Sequence, residues 1–191
     1  RMKRVLREWT MRGCPIPPPF ELKQKTIKEY AKRFSLDVFI ETGTFHGDTI
    51  KSVKSVFRKI ISIELSELLY EEAKDKFSRW NHISIVHGDS GEVLPNVLTA
   101  ISEPCLFWLD AHWSEGVSAR GKVDSPAKEE LLAILNHPTE GHVILIDDAR
   151  LFTPEHGFPS IHELRQMVMH QYPNWAFEIK DDIIRIHEEL D

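Results

Sequence analysis

The sequence predicts an α/β protein built on a doubly wound, mostly parallel sheet with a C-terminal antiparallel hairpin at one edge. Five short apolar runs alternate with segments of helical spacing from residue 20 onward. This alternation is typical of a parallel sheet with right-handed crossovers. The chain then closes with two alternating runs, residues 175–179 and 183–186, separated by Asp181-Asp182. That pattern predicts a hairpin.

The predicted parallel strands are the five apolar runs, which lie at residues 38–40, 60–63, 83–86, 106–109 and 143–146. Helical spacing is found over residues 20–34, 68–77 and 90–98, with Ser66 as the predicted N-cap of the second of these. Another helix is predicted from its apolar positions, Ile50, Val53, Val56 and Phe57.

Two later helices are predicted from their first residues. Ser125-Pro126 places a proline at the tolerated first position of a helix, and its buried side is predicted to carry Leu131, Leu132 and Leu135. Ser160 and Glu163 form a capping-box pattern, which predicts that the last helix begins there.

The chain of 191 residues is long enough for one domain with a substantial core. We predict a single domain over residues 20–191 and an N-terminal arm over residues 1–19. The arm combines a basic stretch with four prolines, which disfavour helix, and we interpret it as a solvated tail or the edge of a lid. The residues concerned are Arg1, Lys3, Arg4, Arg7, Arg12, Pro15, Pro17, Pro18 and Pro19.

Composition limits the function classes. The net charge is −6, from 24 basic and 30 acidic residues, which argues against general nucleic-acid binding. Two cysteines, Cys14 and Cys105, do not make a disulfide framework, so a reducing compartment is expected. No apolar run approaches the ~18 residues of a membrane span, and no signal peptide is visible. We expect a cytoplasmic protein. Because the sequence begins at Arg1 rather than at a methionine, an upstream targeting or membrane segment remains an alternative.

The first predicted strand leads into a turn suited to a cofactor. The strand ends at Glu41, a turn containing Gly43 and Gly47 follows, and an amphipathic segment then begins. A strand, tight turn and helix in this order bring backbone N–H groups and a partly positive helix N-terminus to one edge of the sheet. The stretch 41–49 therefore predicts a cofactor-binding turn, and ordinary turn glycines are the alternative.

Acidic residues lie at or just past the end of each of the five parallel strands. In parallel sheets ligands bind outside these carboxyl ends. Like charges brought together repel, and a metal ion or a cationic ligand would relieve the repulsion. The residues are Glu41, Glu64, Asp89, Asp110 and the pair Asp147-Asp148.

Four of these carboxylates suggest a specific ligand. Glu64 lies 23 residues after Glu41, and a carboxylate there suits the two hydroxyls of a ribose. Asp110, Asp147 and Asp148 offer three oxygen ligands that fit Mg²⁺, although the Asp147-Asp148 pair could instead stabilise a turn.

These residues carry a family resemblance. Glu41-Thr42-Gly43-Thr44-Phe45-His46-Gly47 resembles the first motif, E-x-G-x-x-x-G, of class I S-adenosylmethionine-dependent methyltransferases. Phe45 stands where glycine is commonest in that class, and an aromatic residue there resembles the metal-dependent, catechol-type O-methyltransferases. The resemblance covers about residues 37–187 and implies a Rossmann-like sheet.

The later motifs resemble the same branch. Ile63-Glu64-Leu65 is similar to its ribose-binding segment, and Gly88-Asp89-Ser90 to its adenine-side segment. For Asp89, a helix capping box with Glu92 is the alternative role. Leu109-Asp110-Ala111-His112-Trp113 resembles the first metal-ligand strand end, and Ile146-Asp147-Asp148 the second, with Asp148 where asparagine is usual. The paired aspartates also resemble the macrolide-sugar O-methyltransferases.

The resemblance implies two sets of site residues. The residues implied for S-adenosylmethionine are Glu41, Thr42, Gly43, Thr44, Phe45, Gly47, Thr49, Glu64, Asp89, Ser90 and Asp110. The residues implied for Mg²⁺ are Asp110, Asp147 and Asp148. Asp110 and His112 are the catalytic candidates, with His112 as first candidate base and an ordinary loop histidine as its alternative.

One departure concerns the base. Catechol-type enzymes have a catalytic lysine shortly after the first metal aspartate, whereas here Ser114 and Glu115 follow Trp113, and the nearest lysine is Lys122. The loop 112–124 is the candidate substrate cover, with Gly116 and Gly121 as possible hinges. Cationic residues that could hold an anionic substrate, or simply be solvated, are Arg120, Lys122 and Arg150.

The expected function is S-adenosylmethionine-dependent methyl transfer to a hydroxyl of a small molecule, such as a sugar or a phenol, with Mg²⁺ assistance. Two alternatives remain. One is a binding or scaffold protein that keeps the fold without turnover. The other is a nicotinamide-dependent oxidoreductase, which the Glu-x-Gly-x-x-x-Gly spacing fits less well than Gly-x-Gly-x-x-Gly would.

Overall fold

The computed structural model describes residues 1–110, 126–153 and 158–189. Seven strands of the described chain form one sheet. They are β1 Val38–Thr42, β2 Lys59–Glu64, β3 Ile83–His87, β4 Cys105–Leu109, β5 Val143–Ile146, β6 Trp175–Lys180 and β7 Ile183–Glu188.

The sheet has the order β3-β2-β1-β4-β5-β7-β6. The first five strands pair in parallel, whereas β7 pairs antiparallel with both β5 and β6. Strand order reverses between β1 and β4, and in such sheets this reversal opens a crevice at the carboxyl edge. The predicted doubly wound sheet and its C-terminal hairpin are confirmed.

Helices cover both faces of the sheet. They are α1 Met2–Met11, α2 Phe20–Arg33, α3 Asp48–Val53, α4 Glu67–Phe77, α5 Ser90–Leu98, α6 Ala127–Leu135 and α7 Ile161–Gln171, with a 3₁₀ turn at Ala149–Leu151. The predicted caps of α4 and α7 are confirmed: Ser66 accepts a hydrogen bond from the Leu69 N–H, and Ser160 and Glu163 form a complete capping box.

Two apolar cores sandwich the sheet because successive strand residues point to opposite faces. Ile40 and Phe107 point toward α5, α6 and α7, where Leu131 is fully buried. Phe39 and Trp108 point toward α2, α3 and α4, where Ile27 is buried. Both faces of the sheet are therefore covered by helices of the described chain, and the candidate site lies at its carboxyl edge.

Three local predictions need correction. Helix α3 ends at Val53, so Val56 lies beyond it and is 39% exposed. On α6, Leu132 is 42% exposed although it was predicted to be buried, and the buried stripe includes Glu130 instead. Pro126 is the residue before α6 rather than its first residue.

The N-terminal arm contains helix α1, which the sequence analysis did not assign. Trp9 is buried, and its indole N–H donates a hydrogen bond of 2.8 Å to the Pro15 carbonyl. The proline-rich segment then ends at Pro19, the N-cap of α2. The division at residue 19 stays a prediction.

Cys14 and Cys105 are both free thiols. Burial raises the pKa of the Cys105 thiol to about 12, with a smaller contribution from nearby Glu103. None of the helices in the described ranges has the length and apolarity needed to cross a membrane. A cytoplasmic location stays a prediction.

Candidate functional site

The turn after β1 is held against β2 by its own backbone. The N–H groups of Gly43 and Thr44 both donate to the carbonyl of Ile63, at 2.9 and 3.3 Å. Gly43, Phe45 and Gly47 all have positive φ angles, of 83°, 47° and 68°. Such angles are rare for residues with a side chain, so the aromatic residue at position 45 is held in an unusual conformation.

Gly47 is required by packing as well as by its backbone angle. A Cβ atom at this position would lie 2.5 Å from Cε2 of Phe77 on α4. The glycine therefore allows α4 to pack closely against the turn, and this structural role exists whether or not the turn binds a cofactor.

Glu64 joins β2 to the turn. Its Oε2 accepts a 2.8 Å hydrogen bond from the Phe45 N–H, and its Oε1 accepts a 2.9 Å hydrogen bond from the Ser66 N–H. Each carboxylate oxygen keeps a further lone-pair direction. Glu64 is thus fixed at the rim of the turn while it retains acceptor capacity for the hydroxyls of a ligand.

Glu41 lies at the base of the same turn and is buried. The Ser62 hydroxyl donates a 2.7 Å hydrogen bond to Glu41 Oε1. Burial, with smaller contributions from the nearby Asp110 and Glu64 carboxylates, raises the pKa of Glu41 to about 8, although the Ser62 hydrogen bond opposes the shift. A cationic ligand beside Glu41 would favour its charged form.

The three threonines predicted in this region have different environments. Thr42 is buried, and its hydroxyl accepts a 3.3 Å hydrogen bond from the Asp110 N–H, which links β1 to the end of β4. Thr44 is buried beside Ser62, with 2.5 Å between the two hydroxyl oxygens. Thr49 is half-buried in α3.

The segment after β3 reaches the same edge of the sheet. Asp89 is the N-cap of α5 and accepts a 3.1 Å hydrogen bond from the Gly91 N–H. The capping box with Glu92 stays a prediction. Ser90 is buried. The adenine-side role of these two residues stays a prediction.

The structure brings the three predicted metal ligands together. Asp110 follows β4, and Asp147 and Asp148 follow the neighbouring strand β5; one carboxylate oxygen from each lies within 4.8 Å of the others. Asp148 has a left-handed φ of 54°, and its N–H donates to Asp147 Oδ1 at 2.8 Å. Three oxygen donors at this spacing suit a hard dication such as Mg²⁺.

Lys23 of α2 lies at this acidic cluster, and the sequence analysis did not identify it. Its ammonium Nζ lies 2.5 Å from Asp147 Oδ2 and 3.2 Å from Asp148 Oδ1. Burial alone would lower the pKa of Lys23, but the Asp147 and Asp148 carboxylates outweigh it and the pKa is raised. Lys23 lies one helical turn before Ile27 and two turns before Tyr30, so a cation on an otherwise buried stripe was the available signal.

Asp147 has a perturbed pKa for related reasons. Burial and, to a smaller extent, the neighbouring Asp110 carboxylate raise the pKa of Asp147 to about 7, while Lys23 opposes the shift. Among the described residues, two cations contact the cluster directly. Lys23 contacts Asp147 and Asp148, and Arg150 donates to Asp148 at 2.8 Å and also pairs with Asp182 of the β6–β7 turn.

Glu130 is the second residue that the sequence analysis missed. It is 1% exposed on α6 and lines one cleft with Asp110, Asp147 and Asp148, together with an apolar wall that includes Phe152. Burial raises the pKa of Glu130 to about 7, and the Ser90 and Thr42 hydroxyls oppose the shift. Its Oε1 atom has no hydrogen-bond partner among the described residues. A carboxylate on an apolar helical stripe, next to Leu131 and Ile134, was the available signal.

Several predicted residues lie outside the described ranges. They are the candidate base His112, together with Trp113, Arg120, Lys122 and the rest of the loop 112–124. Their roles stay predictions.

Comparisons with known proteins identify the fold of this chain. No protein-family model matches the chain, and no curated protein matches it. Several solved structures, however, match its fold. The O-methyltransferase TomG from Streptomyces achromogenes, in complex with SAM, has a TM-score of 0.66 at 13% identity and covers 98% of this chain and 89% of its own.

Two further structures agree. An O-methyltransferase from Bacillus cereus in complex with SAH has a TM-score of 0.63 at 15% identity, with 98% of this chain and 90% of its own covered. The SAH-bound methyltransferase PaMTH1 of Podospora anserina has a TM-score of 0.64 at 16% identity, with 97% and 87% covered. At these identities the likeness establishes the fold, and the predicted class I methyltransferase fold is confirmed.

Proposed function

We propose that this chain is an S-adenosylmethionine-dependent O-methyltransferase. One observation carries the proposal: in a class I methyltransferase fold, Glu64 is fixed at the rim of the Gly43–Gly47 turn by the Phe45 and Ser66 N–H groups. Its remaining lone pairs suit the two ribose hydroxyls of the cofactor. The structural neighbours named above were solved with SAM or SAH bound, which supports the same ligand here.

The proposed cofactor site runs along residues 41–49, then Glu64, and then Asp89 and Ser90. Glu41 lies buried below the turn, where it can balance a cationic part of the ligand. S-adenosylmethionine supplies an electrophilic methyl group on a sulfonium whose sulfur leaves as a neutral thioether. The chain's main task is then to align the acceptor oxygen with the methyl carbon and the sulfur.

We further propose Mg²⁺ at Asp110, Asp147 and Asp148, whose carboxylate oxygens lie within 4.8 Å of one another. The donor set fits, because Mg²⁺ prefers oxygen ligands and is commonly bound by one or two carboxylates plus water and substrate oxygens. A dication there would lower the pKa of an acceptor hydroxyl.

The proposed acceptor is a small hydroxylated molecule, such as a sugar or a phenol. The cleft is lined both by apolar side chains, including Leu109, Ile146, Phe152 and Phe158, and by the carboxylates, so its lining divides into apolar and acidic groups. An acceptor with an apolar body and one or more hydroxyl donors matches this division. His112 is the proposed base that takes the acceptor proton.

Calorimetric titration tests the cofactor assignment. We expect wild-type protein to bind S-adenosylmethionine and not NADH. We expect Glu64→Ala to bind S-adenosylmethionine at least about tenfold more weakly, because hydrogen bonds to a charged group are each worth about 1.5–3 kcal/mol. Glu67→Ala is the control, since Glu67 is exposed in the first turn of α4. Absence of S-adenosylmethionine binding to wild type would contradict the proposal.

A further inference from the structure

The ammonium of Lys23 contacts two of the three carboxylates proposed to bind a metal ion. Asp147 Oδ1 accepts the Asp148 N–H, and Lys23 Nζ lies 2.5 Å from the other oxygen, Oδ2. Lys23 also donates to Asp148 Oδ1 at 3.2 Å. Two of the three proposed metal ligands are therefore already engaged by one lysine.

We infer that Lys23 and a divalent cation are alternative occupants of the Asp110–Asp147–Asp148 cluster, and that the metal displaces the lysine when it binds. The inference rests on the magnesium part of the proposed function. It adds that the protein carries its own counter-ion, which holds the carboxylates together in the absence of metal.

Simultaneous occupancy is electrostatically unfavourable. Mg²⁺ binds carboxylate oxygens at about 2.0–2.1 Å. A dication on Asp147 Oδ2 at that distance would lie within about 5 Å of an ammonium that remained in place. At such separations the repulsion between the cations is several kcal/mol even in a partly screened environment. One of the two cations must therefore move.

Lys23 is the cation that can move. Its side chain is 17% exposed, so a route to solvent exists, and a lysine has a flexible four-carbon stem. Helix α2 itself is anchored by residues on the same face, Thr26, Ile27 and Tyr30, which are all buried. The side chain can thus swing out while the helix stays packed.

Arg150 also contacts the cluster, but a metal ion would not have to displace it. It binds Asp148 and also pairs with Asp182, with additional support from the Arg150 N–H, which donates to Asp182 at 2.9 Å. Its guanidinium is shared with the β6–β7 turn, so it can remain in place when the centre of the cluster is occupied. Lys23, in contrast, forms its ion pairs with Asp147 and Asp148, within the cluster itself.

Metal titration of charge-removing variants tests the inference. Isothermal titration of Mg²⁺, and of Mn²⁺ followed by electron paramagnetic resonance, would compare wild type with Lys23→Met and Lys25→Met. Lys25 is the matched control, because it lies on the same helix and pairs with Glu29 at the surface. Removal of the competing charge should tighten metal binding by about tenfold or more in Lys23→Met, with no change in Lys25→Met. Unchanged, weaker or undetectable metal binding in Lys23→Met overturns the inference.

A second measurement uses only wild-type protein, so it does not depend on how a variant folds. Acetic anhydride labelling with mass spectrometry reports how accessible each lysine amine is. Saturating Mg²⁺ should increase Lys23 acetylation several-fold and leave Lys25 unchanged. If Mg²⁺ binds while Lys23 labelling stays constant, the lysine does not leave and the inference is wrong.

These results are separable from the proposed function. S-adenosylmethionine titrated into the same samples reports the cofactor site independently, since that site is centred on Glu64. Cofactor binding without metal competition would overturn only the inference. Metal competition without cofactor binding would overturn only the methyltransferase proposal.

Discussion

Gly47 packs so closely against Phe77 that a single added carbon would collide with the ring. The nearest approach of a Cβ at position 47 to Phe77 Cε2 is 2.5 Å. The contact joins the turn after β1 to α4, the helix that follows β2. The shape of the proposed cofactor turn is therefore set partly by a helix outside the motif.

We expect Gly47→Ala to destabilise the protein by about 2–4 kcal/mol, from overpacking and the unfavourable positive φ angle. Gly13→Ala is the matched control. Gly13 also has a positive φ, of 80°, but no atom lies within 4 Å of its added Cβ, so its cost should be about 1 kcal/mol. Urea denaturation measures both. Equal losses in the two variants would show that the Phe77 contact has no role, and Phe77→Leu should partly restore Gly47→Ala.

Glu41 should make the protein less stable as pH rises. Its pKa is about 8 in the folded state, against an ordinary 4.5, so between these values the folded state holds a proton that the unfolded chain has lost. Stability from this group is full below about pH 4.5 and falls toward pH 8, by about 1.4 kcal/mol per pH unit at most. Glu41→Gln keeps an acceptor for Ser62 and should remove that slope. Urea denaturation at several pH values with equal slopes in both proteins would contradict this prediction.

A histidine pair at the opposite edge of the sheet should make the fold sensitive to acid. The Cys105 N–H donates to His142 Nδ1 at 3.0 Å, so neutral His142 carries its proton on Nε2 and donates to His137 Nδ1 at 2.9 Å. His137 Nε2 in turn donates to the Leu98 carbonyl at 3.0 Å. Burial and, to a smaller extent, the neighbouring His137 lower the pKa of His142 to about 4.

The pKa of His142 in the folded state lies below its ordinary value of 6.5. The stability that neutral His142 contributes is therefore fully present above pH 6.5 and is lost as pH falls toward 4. The loss amounts to about 3 kcal/mol. His142→Asn should keep an acceptor for Cys105 and show a smaller loss between pH 6.5 and 4. Thermal unfolding of both proteins over this range measures the difference. If the two proteins lose the same stability between pH 6.5 and 4, the hydrogen-bonded histidine pair is not the cause of the acid sensitivity.

A substitution at Asp110 should weaken metal binding while it leaves cofactor binding nearly unchanged. We expect Asp110→Asn to weaken Mg²⁺ binding by about tenfold or more, because a charged ligand is lost. The family resemblance also implies Asp110 for the cofactor, but the proposed cofactor site is centred on Glu64, so we expect S-adenosylhomocysteine affinity to change by less than about threefold. Calorimetric titration with each ligand measures both quantities, and EDTA should leave cofactor binding intact. Glu140→Gln, at an exposed position, is the control. Unaltered Mg²⁺ affinity in Asp110→Asn would exclude Asp110 as a ligand.

The strands and the carboxylates at their ends were predictable from sequence because local patterns determine them. An apolar run such as 143–146 can only be buried, and a carboxylate just after it must lie at the sheet edge. Register then brings Leu109 opposite Ile146, and the residues that follow them, Asp110 and Asp147, meet without further information.

Lys23 and Glu130 were not predictable in the same way. Both lie on helices, where most charged side chains face solvent, and neither belongs to a motif. Their positions on buried helical stripes were the only local signal. Only the tertiary arrangement brings α2 and α6 over the carboxyl edge of the sheet. Helix α1 was missed for a similar reason: one residue, Trp9, buries its ring there, while the surrounding basic residues suggest a solvated tail.

A crystal structure with S-adenosylhomocysteine and Mg²⁺ bound would show where each of the two ligands binds. We expect the adenosine ribose within hydrogen-bond distance of Glu64 Oε1 and Oε2, the metal on Asp110, Asp147 and Asp148, and Lys23 displaced from Asp147. S-adenosylhomocysteine bound away from the Gly43–Gly47 turn, or no binding at all, would contradict this expectation.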